Sequence, residues 1–174
     1  MKPDSTDDRI ASALLPHLDA AYNFARRLAG NDHDAEDVVQ EAYLRAMRYG
    51  ASFSGQHPRA WLLAIVRNTF FSMRKGNIPG QGAVSFDEEV HREGEDPGPE
   101  ADLLKSADAR AVNQALDELS LEFREIIVLR EFEDLSYKEI ARVTGAPVGT
   151  VMSRLARARD QLARTIKRRM EPGA

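Results

Sequence analysis

Apolar residues recur with the period of an α-helix along most of this chain. Spacings of three and four residues mark out three segments in the first half: 10–28, 34 to about 49, and 59 to about 75. This is the pattern of helices that bury one face. No segment alternates apolar and polar residues as a half-buried strand does. The pattern therefore predicts an all-α protein whose first part is a compact bundle of three helices.

Glycine, proline and short polar residues set the expected ends of these helices. Pro16 leaves the start of the first helix open, because the helix either begins there or follows a short turn. Gly30 and Asn31 end it, and Asp32 or Asp34 is expected to cap the next helix. The residues from Gly50 to Pro58 have the composition of a loop.

A stretch of different composition separates the two halves of the chain. Between Gly76 and Asp102 it is rich in glycine and proline and holds eight acidic residues, with Arg92 as its only Lys or Arg. No apolar period survives there, which is typical of an extended linker. The sequence thus predicts two domains, residues 1–75 and 106–174, joined by a flexible acidic linker at 76–105.

The second domain begins with two amphipathic helices. Four apolar residues follow the spacing i, i+3, i+4, i+7: Val112, Ala115, Leu116 and Leu119. Ser120 is then expected to cap a helix whose Phe123, Ile126 and Ile127 face inward. With the segment that follows, the pattern predicts a second bundle of about four helices.

The segment 135–161 specifies a helix-turn-helix. Ser136 and Glu139 form a capping box at the start of a helix. Gly145 suits the left-handed position after a helix end, and Pro147 prevents continuation. A second helix starts near Val148, and its buried stripe follows helical spacing: Val151, Leu155, Ala158 and Leu162.

The outward face of that second helix is polar and cationic. Thr150, Ser153, Arg154, Arg157 and Gln161 lie there, and such side chains read base edges and phosphates in a major groove. Residues 136–170 hold nine Lys or Arg against two acids, a net charge of +7, although the whole chain carries −4. The alternative is a solvated helical corner. The strong sorting of charge favours a nucleic-acid interface instead.

The composition gives little support for a metal site, a cofactor site or a membrane segment. The 174 residues include no cysteine, and the four histidines are dispersed. His33 lies among acids that could suggest a metal site, but the positive end of a helix explains such acids better. We therefore expect no metal and no cofactor. The longest apolar run, Trp61–Val66, is too short to span a bilayer, and no signal segment is evident. We expect a cytoplasmic protein without membrane insertion and without enzymatic activity.

Three motifs together resemble the extracytoplasmic-function (ECF) sigma factors of bacterial RNA polymerase, in the sigma-70 family. DAEDVVQEAYLRAMR (34–48) is similar to the region 2 helix that docks on the polymerase clamp, and PRAWLLAIVRN (58–68) is similar to the promoter-melting helix. Residues 116–159 resemble region 4, with the recognition helix at 149–159. The order of the motifs and the linker between them match the two-domain subfamily.

The resemblance implies a role for each motif. Region 2 is expected to bind the clamp coiled coil of core polymerase through Asp37, Gln40, Glu41 and Arg45. Contacts with the single-stranded −10 element are expected from Phe53, Arg59, Trp61, Arg67 and Asn68, with Trp61 in a supporting role. Region 4 is expected to bind the polymerase flap and the −35 element through Thr150, Ser153, Arg154, Arg157 and Arg159. Base-edge contacts are assigned to Ser153 and Arg154, and phosphate contacts to the other three.

The expected function is to direct core RNA polymerase to promoters in a stress or envelope response, under the control of an anti-sigma factor. Two other protein classes share some of these features. A lone repressor or activator would leave the motifs of the first domain unexplained. A sigma mimic that only sequesters an anti-sigma protein would not need a basic second domain. A solvated helix face also remains an alternative for residues 37–45.

Overall fold

A computed structural model describes residues 5–76 and 108–171, and every regular element in these two ranges is helical. The chain divides into two compact units. Among the described residues, the first holds 5–76 with Ala141–Gly145, and the second holds 108–140 and 146–171. The two predicted helical bundles are confirmed. Most of the predicted linker, residues 77–105, lies outside the described residues.

The first unit contains four α-helices instead of the predicted three. They are α1 (Thr6–Leu14), α2 (Leu18–Ala29), α3 (Asp32–Arg48) and α4 (Pro58–Arg74). Short 3-10 turns, Leu15–His17 and Gly50–Ser52, follow α1 and α3. The additional helix begins with a capping box between Ser5 and Asp8, a local signal that the apolar period does not carry.

Pro16 separates α1 from α2. It lies in the 3-10 turn, because its ring cannot donate the hydrogen bond of a continuous helix. Of the two alternatives, the short turn is therefore the one observed. The following helix ends at Gly30, whose φ of 85° gives the left-handed cap expected from the sequence.

The start of α3 corrects one prediction. Asn31 is the N-cap, and its side-chain oxygen accepts a hydrogen bond from the Asp34 backbone N–H at 2.8 Å. Asp32 and Asp34 were the predicted caps, but they lie within the first turn. Asp32 instead joins α3 to α2, because its carboxylate accepts from Arg26 Nε at 2.6 Å and from the Tyr22 hydroxyl at 3.0 Å.

Helix α4 is the centre of the first core. Its side chains from Ala60 to Val66 are all buried, so it packs on nearly every side. Gly50 allows the close approach of α1 to the turn after α3, since a Cβ there would lie 1.8 Å from Ile10 Cδ1. An apolar helix enclosed by three others explains the compactness of this bundle.

The rest of the described chain forms α5 (Ala109–Glu118), α6 (Leu121–Ile127), α7 (Tyr137–Thr144) and α8 (Val148–Met170). All of these residues belong to the second unit except the end of α7 from Ala141 onward, which is grouped with the first. Helix α6 continues as a π-helical segment, Val128–Phe132. Arg124 holds the α5–α6 corner, because its guanidinium donates to the backbone carbonyls of Leu116, Asp117 and Leu119 at 2.9–3.1 Å. These carbonyls lie at the end of α5, where a helix leaves carbonyls short of intrahelical partners. The Leu116 carbonyl also accepts from the Leu119 backbone N–H at 3.1 Å.

The helix-turn-helix is built as the sequence predicts. Ser136 and Glu139 exchange the two hydrogen bonds of a capping box, each 3.1 Å long. Gly145 adopts a φ of 73°, and Pro147 is the N-cap of α8. The bounds of α7 and α8 therefore follow from local chemistry.

Across the two described ranges, no helix combines the length and the apolar character that crossing a membrane requires.

Candidate nucleic-acid interface

Helix α8 carries the predicted duplex-binding residues on its N-terminal half. Val151, Leu155 and Ala158 are buried, which fixes the opposite face outward. On that face Ser153 and Arg157 are exposed, and Thr150 and Arg154 are partly exposed. The structure thus brings together four of the five residues predicted to contact the −35 element.

Arg154 is held by an acidic residue of another helix. Its Nη2 lies 3.0 Å from Glu122 Oε1, and its side chain is 25% exposed. Glu122 lies in the first turn of α6 and is itself 55% exposed. The guanidinium therefore has a defined position while it remains accessible.

Arg157 is held more loosely. Its guanidinium carbon lies 5.8 Å from the ring centre of Phe123, and its Nε donates to the Ser153 carbonyl at 3.4 Å. The Ser153 hydroxyl donates to the Thr150 carbonyl at 3.1 Å. Exposed arginines with weak contacts of this kind can turn toward a phosphate at little cost.

Arg159 is placed differently from the other predicted contacts. Its side chain is 7% exposed, and its Nη2 and Nε lie 2.6 and 2.7 Å from Glu131 Oε1. Glu131 belongs to the π-helical segment. The structure therefore gives Arg159 an internal ion pair in place of an accessible position for a phosphate, and we leave it out of the duplex-binding face.

In the first unit, two predicted contacts with the −10 element form a buried aromatic pair. The rings of Phe53 and Trp61 lie 4.7 Å apart, and the residues are 9% and 4% exposed. Phe53 follows the 3-10 turn after α3, and Trp61 lies in the first turns of α4. The pair anchors the loop between the helices to the core.

The polar residues predicted beside that loop are half-buried along α4. Arg67 lies over the ring of Phe71, 4.9 Å from its centre, and its Nη1 is 3.5 Å from Asn68 Oδ1. Burial of the imidazole lowers the pKa of His17, and the positive charge of the nearby Arg59 lowers it further. Arg67 thus has defined neighbours on α4 itself, and Arg59 lies near the turn that contains His17.

The predicted polymerase-docking residues on α3 separate into two pairs. Asp37 and Gln40 are exposed. Arg45 is buried, with 2% of its side chain exposed, and its Nε donates to Glu41 Oε1 at 3.2 Å. The Glu41 side chain is only 15% exposed, so this pair is not the solvated ion pair considered from the sequence.

Sequence reasoning missed Leu44 on this surface. The residue is 58% exposed although it lies in the middle of α3. It follows Gln40 by four positions and Asp37 by seven, which places all three on one face of the helix. The sequence carried no clear signal for it, because the buried stripe that excludes Leu44 contains Arg45, whose burial only the packing of the helices shows.

The acidic start of α3 also contains the residues considered for a metal. His33, Asp34 and Asp37 bring possible ligand atoms within 4.8 Å of one another, and all three are exposed. Asp34 is engaged with the Asn31 amide at 2.9 Å, and Asp37 lies 3.6 Å from His33. Acids at a helix N-terminus are stabilised without any ion.

Comparisons with known protein families assign both units. The family model described as sigma-70 region 2 matches residues 14–77, and the model described as sigma-70 region 4 matches residues 109–162. The two matches together contain the exposed face of α3, the Phe53 loop, α4 and the N-terminal half of α8.

Individual relatives agree over most of the chain. The ECF RNA polymerase sigma factor SigE of Mycolicibacterium smegmatis is 37% identical over 91% of this chain, which spans 64% of that relative's length. The RNA polymerase sigma-H factor of Pseudomonas aeruginosa is 33% identical, covering 81% of this chain and 77% of the relative. Among solved structures, the sigma factor RpoE of Bartonella quintana, in complex with the anti-sigma factor NepR, is 32% identical with a TM-score of 0.66, covering 90% and 95% of the two chains.

Proposed function

We propose, since this chain belongs to the ECF sigma factors of RNA polymerase, that it binds core polymerase, recognises promoters and starts their transcription. The observation that carries the proposal is the pairing of two matched regions with two separate helical units, one of which presents a basic recognition helix. We therefore divide the function between the two units, with duplex reading assigned to the one that holds α8 and single-strand binding assigned to the one that holds the Phe53 loop.

Duplex recognition is assigned to the N-terminal half of α8 in the −35 element. Arg154 and Ser153 are proposed to contact base edges, and Thr150 and Arg157 to contact phosphates. The defined position of Arg154 against Glu122 suits base reading, whereas the exposed and loosely held Arg157 suits a phosphate. Loss of a base contact should weaken the preferred sequence, whereas loss of a phosphate contact should weaken every sequence alike.

Strand opening is assigned to α4 and the loop before it. The buried Phe53–Trp61 pair fixes the loop, and Asn68 is proposed to bind an unstacked base of the −10 element. Arg59 and Arg67 are proposed to follow the backbone of the single strand. The aromatic pair then acts on DNA through the loop that it supports.

Docking on core polymerase is assigned to the exposed face of α3, through Asp37, Gln40 and Leu44. An apolar side chain flanked by polar ones is the usual anatomy of a protein interface. The Glu41–Arg45 ion pair lies on the inner side of the same helix, with little exposure of either side chain. The second unit is proposed to dock on the flap.

Regulation by an anti-sigma factor is proposed from relatives. The Bartonella quintana sigma factor was solved with its anti-sigma factor NepR, and it covers 90% of this chain. We extend that mode of control to this protein.

Core polymerase is necessary because each unit binds DNA weakly. A single helix in one groove reads few base pairs, and each unstacked base costs about a few kcal/mol. The net charge of −4 adds no general attraction for DNA. Core enzyme would hold both units at promoter spacing and so make the second contact effectively intramolecular.

Permanganate footprinting of promoter thymines tests the proposal. Candidate promoters are first selected from a genomic library by in vitro transcription with core enzyme. The holoenzyme should make thymines in the −10 element reactive, and the isolated protein should not. Melting by the protein alone, or tight duplex binding unaffected by core enzyme, would instead favour a lone DNA-binding regulator.

A further inference from the structure

The contact between Arg154 and Glu122 has a distinctive placement. It joins the middle of the duplex-binding face of α8 to the first turn of α6. The backbone N–H of Phe123, the next residue, donates to the Ser120 cap at 3.3 Å. The carboxylate therefore extends from a fixed helix start toward a residue that is proposed to read bases.

Glu122 contacts one terminal nitrogen of the Arg154 guanidinium, and a quarter of the arginine side chain is exposed. An arginine carries five N–H donors in a planar fork, and Glu122 accepts at Nη2. Since one acceptor does not use all five donors, another edge of the fork can pair with a second planar partner. A contact at one edge fixes the plane of the fork, and it removes part of the rotamer entropy that Arg154 would otherwise lose on binding DNA.

The open edge fits one base best. Guanine presents two acceptors, O6 and N7, to the major groove, and a bidentate arginine is the commonest specific partner of that pair. The carboxylate also disfavours the competing use of Arg154 as a general phosphate contact, because a negative charge beside the arginine repels the DNA backbone.

We propose that Glu122 is a positioning residue that makes Arg154 specific for a guanine in the −35 element. The inference rests on the proposed promoter recognition and names a determinant outside the recognition helix itself. Discrimination at one base pair then depends on α6, while general affinity depends on the exposed cations of α8.

Helix α8 offers a matched comparison farther along. Glu118, at the end of α5, is paired with Arg168 and Arg169 near the C-terminus of α8. Both pairs join an exposed or half-buried glutamate of a neighbouring helix to an arginine of α8. Glu118 lies farther from the face that is proposed to enter the groove. Removing its charge therefore shows what the loss of one negative charge does when the base-reading arginine keeps its own partner.

The test uses the full chain bound to core polymerase and a duplex library randomised across the −35 element. Bound duplexes are sequenced for the wild type and for Glu122→Ala, Glu122→Gln and Glu118→Ala. Glu122→Ala should lower the preference for guanine at one position by about threefold to tenfold and leave the other positions unchanged. Glu122→Gln keeps an acceptor for Arg154 and should retain most of that preference. Glu118→Ala should leave the whole profile as in the wild type.

Arg154→Lys provides an independent check, because it keeps the charge and removes the planar fork. It should flatten the same position that Glu122→Ala flattens. A wild-type profile for Glu122→Ala, a loss spread evenly over all positions, or a loss at a different position from that of Arg154→Lys would each overturn the inference. Absence of any enriched sequence with the wild type would instead refute the proposed promoter recognition itself.

Discussion

At the scale of single residues, three arginines of α8 differ in the group that each one contacts. Arg154 has a carboxylate at its edge, Arg157 has an aromatic ring, and Arg159 is enclosed with Glu131. The three share a charge and a helix but differ in what each loses when it binds DNA. An arginine whose contact within the protein is weak or incomplete can form a contact with DNA at a low cost in free energy.

The first prediction concerns Arg159, which should act on stability and not directly on DNA. Arg159→Ala leaves the mostly buried Glu131 carboxylate without its partner, so the free energy of unfolding should fall by on the order of 3 kcal/mol. Urea denaturation followed by circular dichroism measures this change.

Arg157→Ala is the matched control, because it removes the same charge two positions away from an exposed site. Its effect on unfolding should stay below about 1 kcal/mol. Unchanged stability of Arg159→Ala, together with weaker binding to every duplex, would restore Arg159 to the phosphate contacts expected from the sequence.

A second prediction concerns acid sensitivity at Asp32. Hydrogen bonds from Arg26 and then from Tyr22, with the charge of Arg26, hold the pKa of the Asp32 carboxyl below its ordinary value of 3.8. A carboxyl with a lowered folded-state pKa contributes stability above its unfolded pKa and loses it as the pH falls through the folded value. The contribution of Asp32 should therefore vanish only in strong acid.

Titration of the Asp32 carboxyl by NMR measures this pKa, and Arg26→Ala should return it toward 3.8. Asp32→Asn removes the titrating group, so the variant should lose less stability than the wild type when the pH is lowered below 3.8. Parallel pH profiles for the two proteins would show that the contact adds nothing to the fold.

At the scale of elements, the helix-turn-helix depends on its caps and on one glycine. Its capping box satisfies backbone donors at the start of α7, and Gly145 reverses the chain with a φ of 73°. A side chain at such an angle is strained even where space is open, and nothing lies within 4 Å of the position of a Cβ at Gly145. The loss of stability on substituting Gly145 therefore measures backbone strain alone, without a steric clash.

Gly145→Ala should therefore reduce the free energy of unfolding by about 1–2 kcal/mol. Gly149→Ala is the matched change, since Gly149 lies inside α8 with open space around it and without a positive φ. That variant should be unchanged or up to about 1 kcal/mol more stable, because alanine favours the helix. Thermal unfolding of both proteins decides the point, and equal shifts in the same direction would contradict this account of the turn.

At the scale of the whole molecule, the protein consists of two units, to which we assign separate tasks. The first presents an exposed face on α3 and a loop anchored by an aromatic pair, and the second presents a recognition helix. We propose that core polymerase unites these tasks. The docking face is therefore expected to control every later step of initiation.

The last prediction concerns that face. Leu44→Ala and Gln40→Ala together should weaken binding to core polymerase by about tenfold or more, because an exposed apolar anchor and its polar neighbour are lost. Fluorescence anisotropy of the labelled chain, titrated with core enzyme, measures the affinity. Both residues are exposed, so stability should change little.

Leu15→Ala is the control, because Leu15 is also an exposed leucine of the first unit, at 68%, and lies in the turn before α2. It should leave the affinity for core enzyme as in the wild type. Equal losses from the control and from the double variant would show that general exposure of apolar surface, and not the face of α3, determines binding.

The sequence by itself determined the elements and most of their ends. Apolar spacing identified the helices except the separate α1. Pro16, Gly30, Ser120 and Gly145 marked boundaries that the structure confirms, since each acts through its own backbone or its nearest neighbours. The N-cap at Asn31 was missed because Asn31, Asp32 and Asp34 lie within four positions and can all cap a helix, so spacing does not distinguish them. The resemblance to ECF sigma factors rested on such local motifs and is confirmed by the matches to both regions.

Tertiary structure decided which side chains remain available. Arg154 and Arg159 belong to the same helix, yet Arg154 stays accessible and Arg159 is enclosed. Arg159 lies beside the buried stripe of α8, where the bundle places Glu131 against it. Arg45 becomes internal and Leu44 external for the same reason, since burial depends on how neighbouring helices pack. Helical spacing specifies a face, but only the packed bundle determines what that face meets.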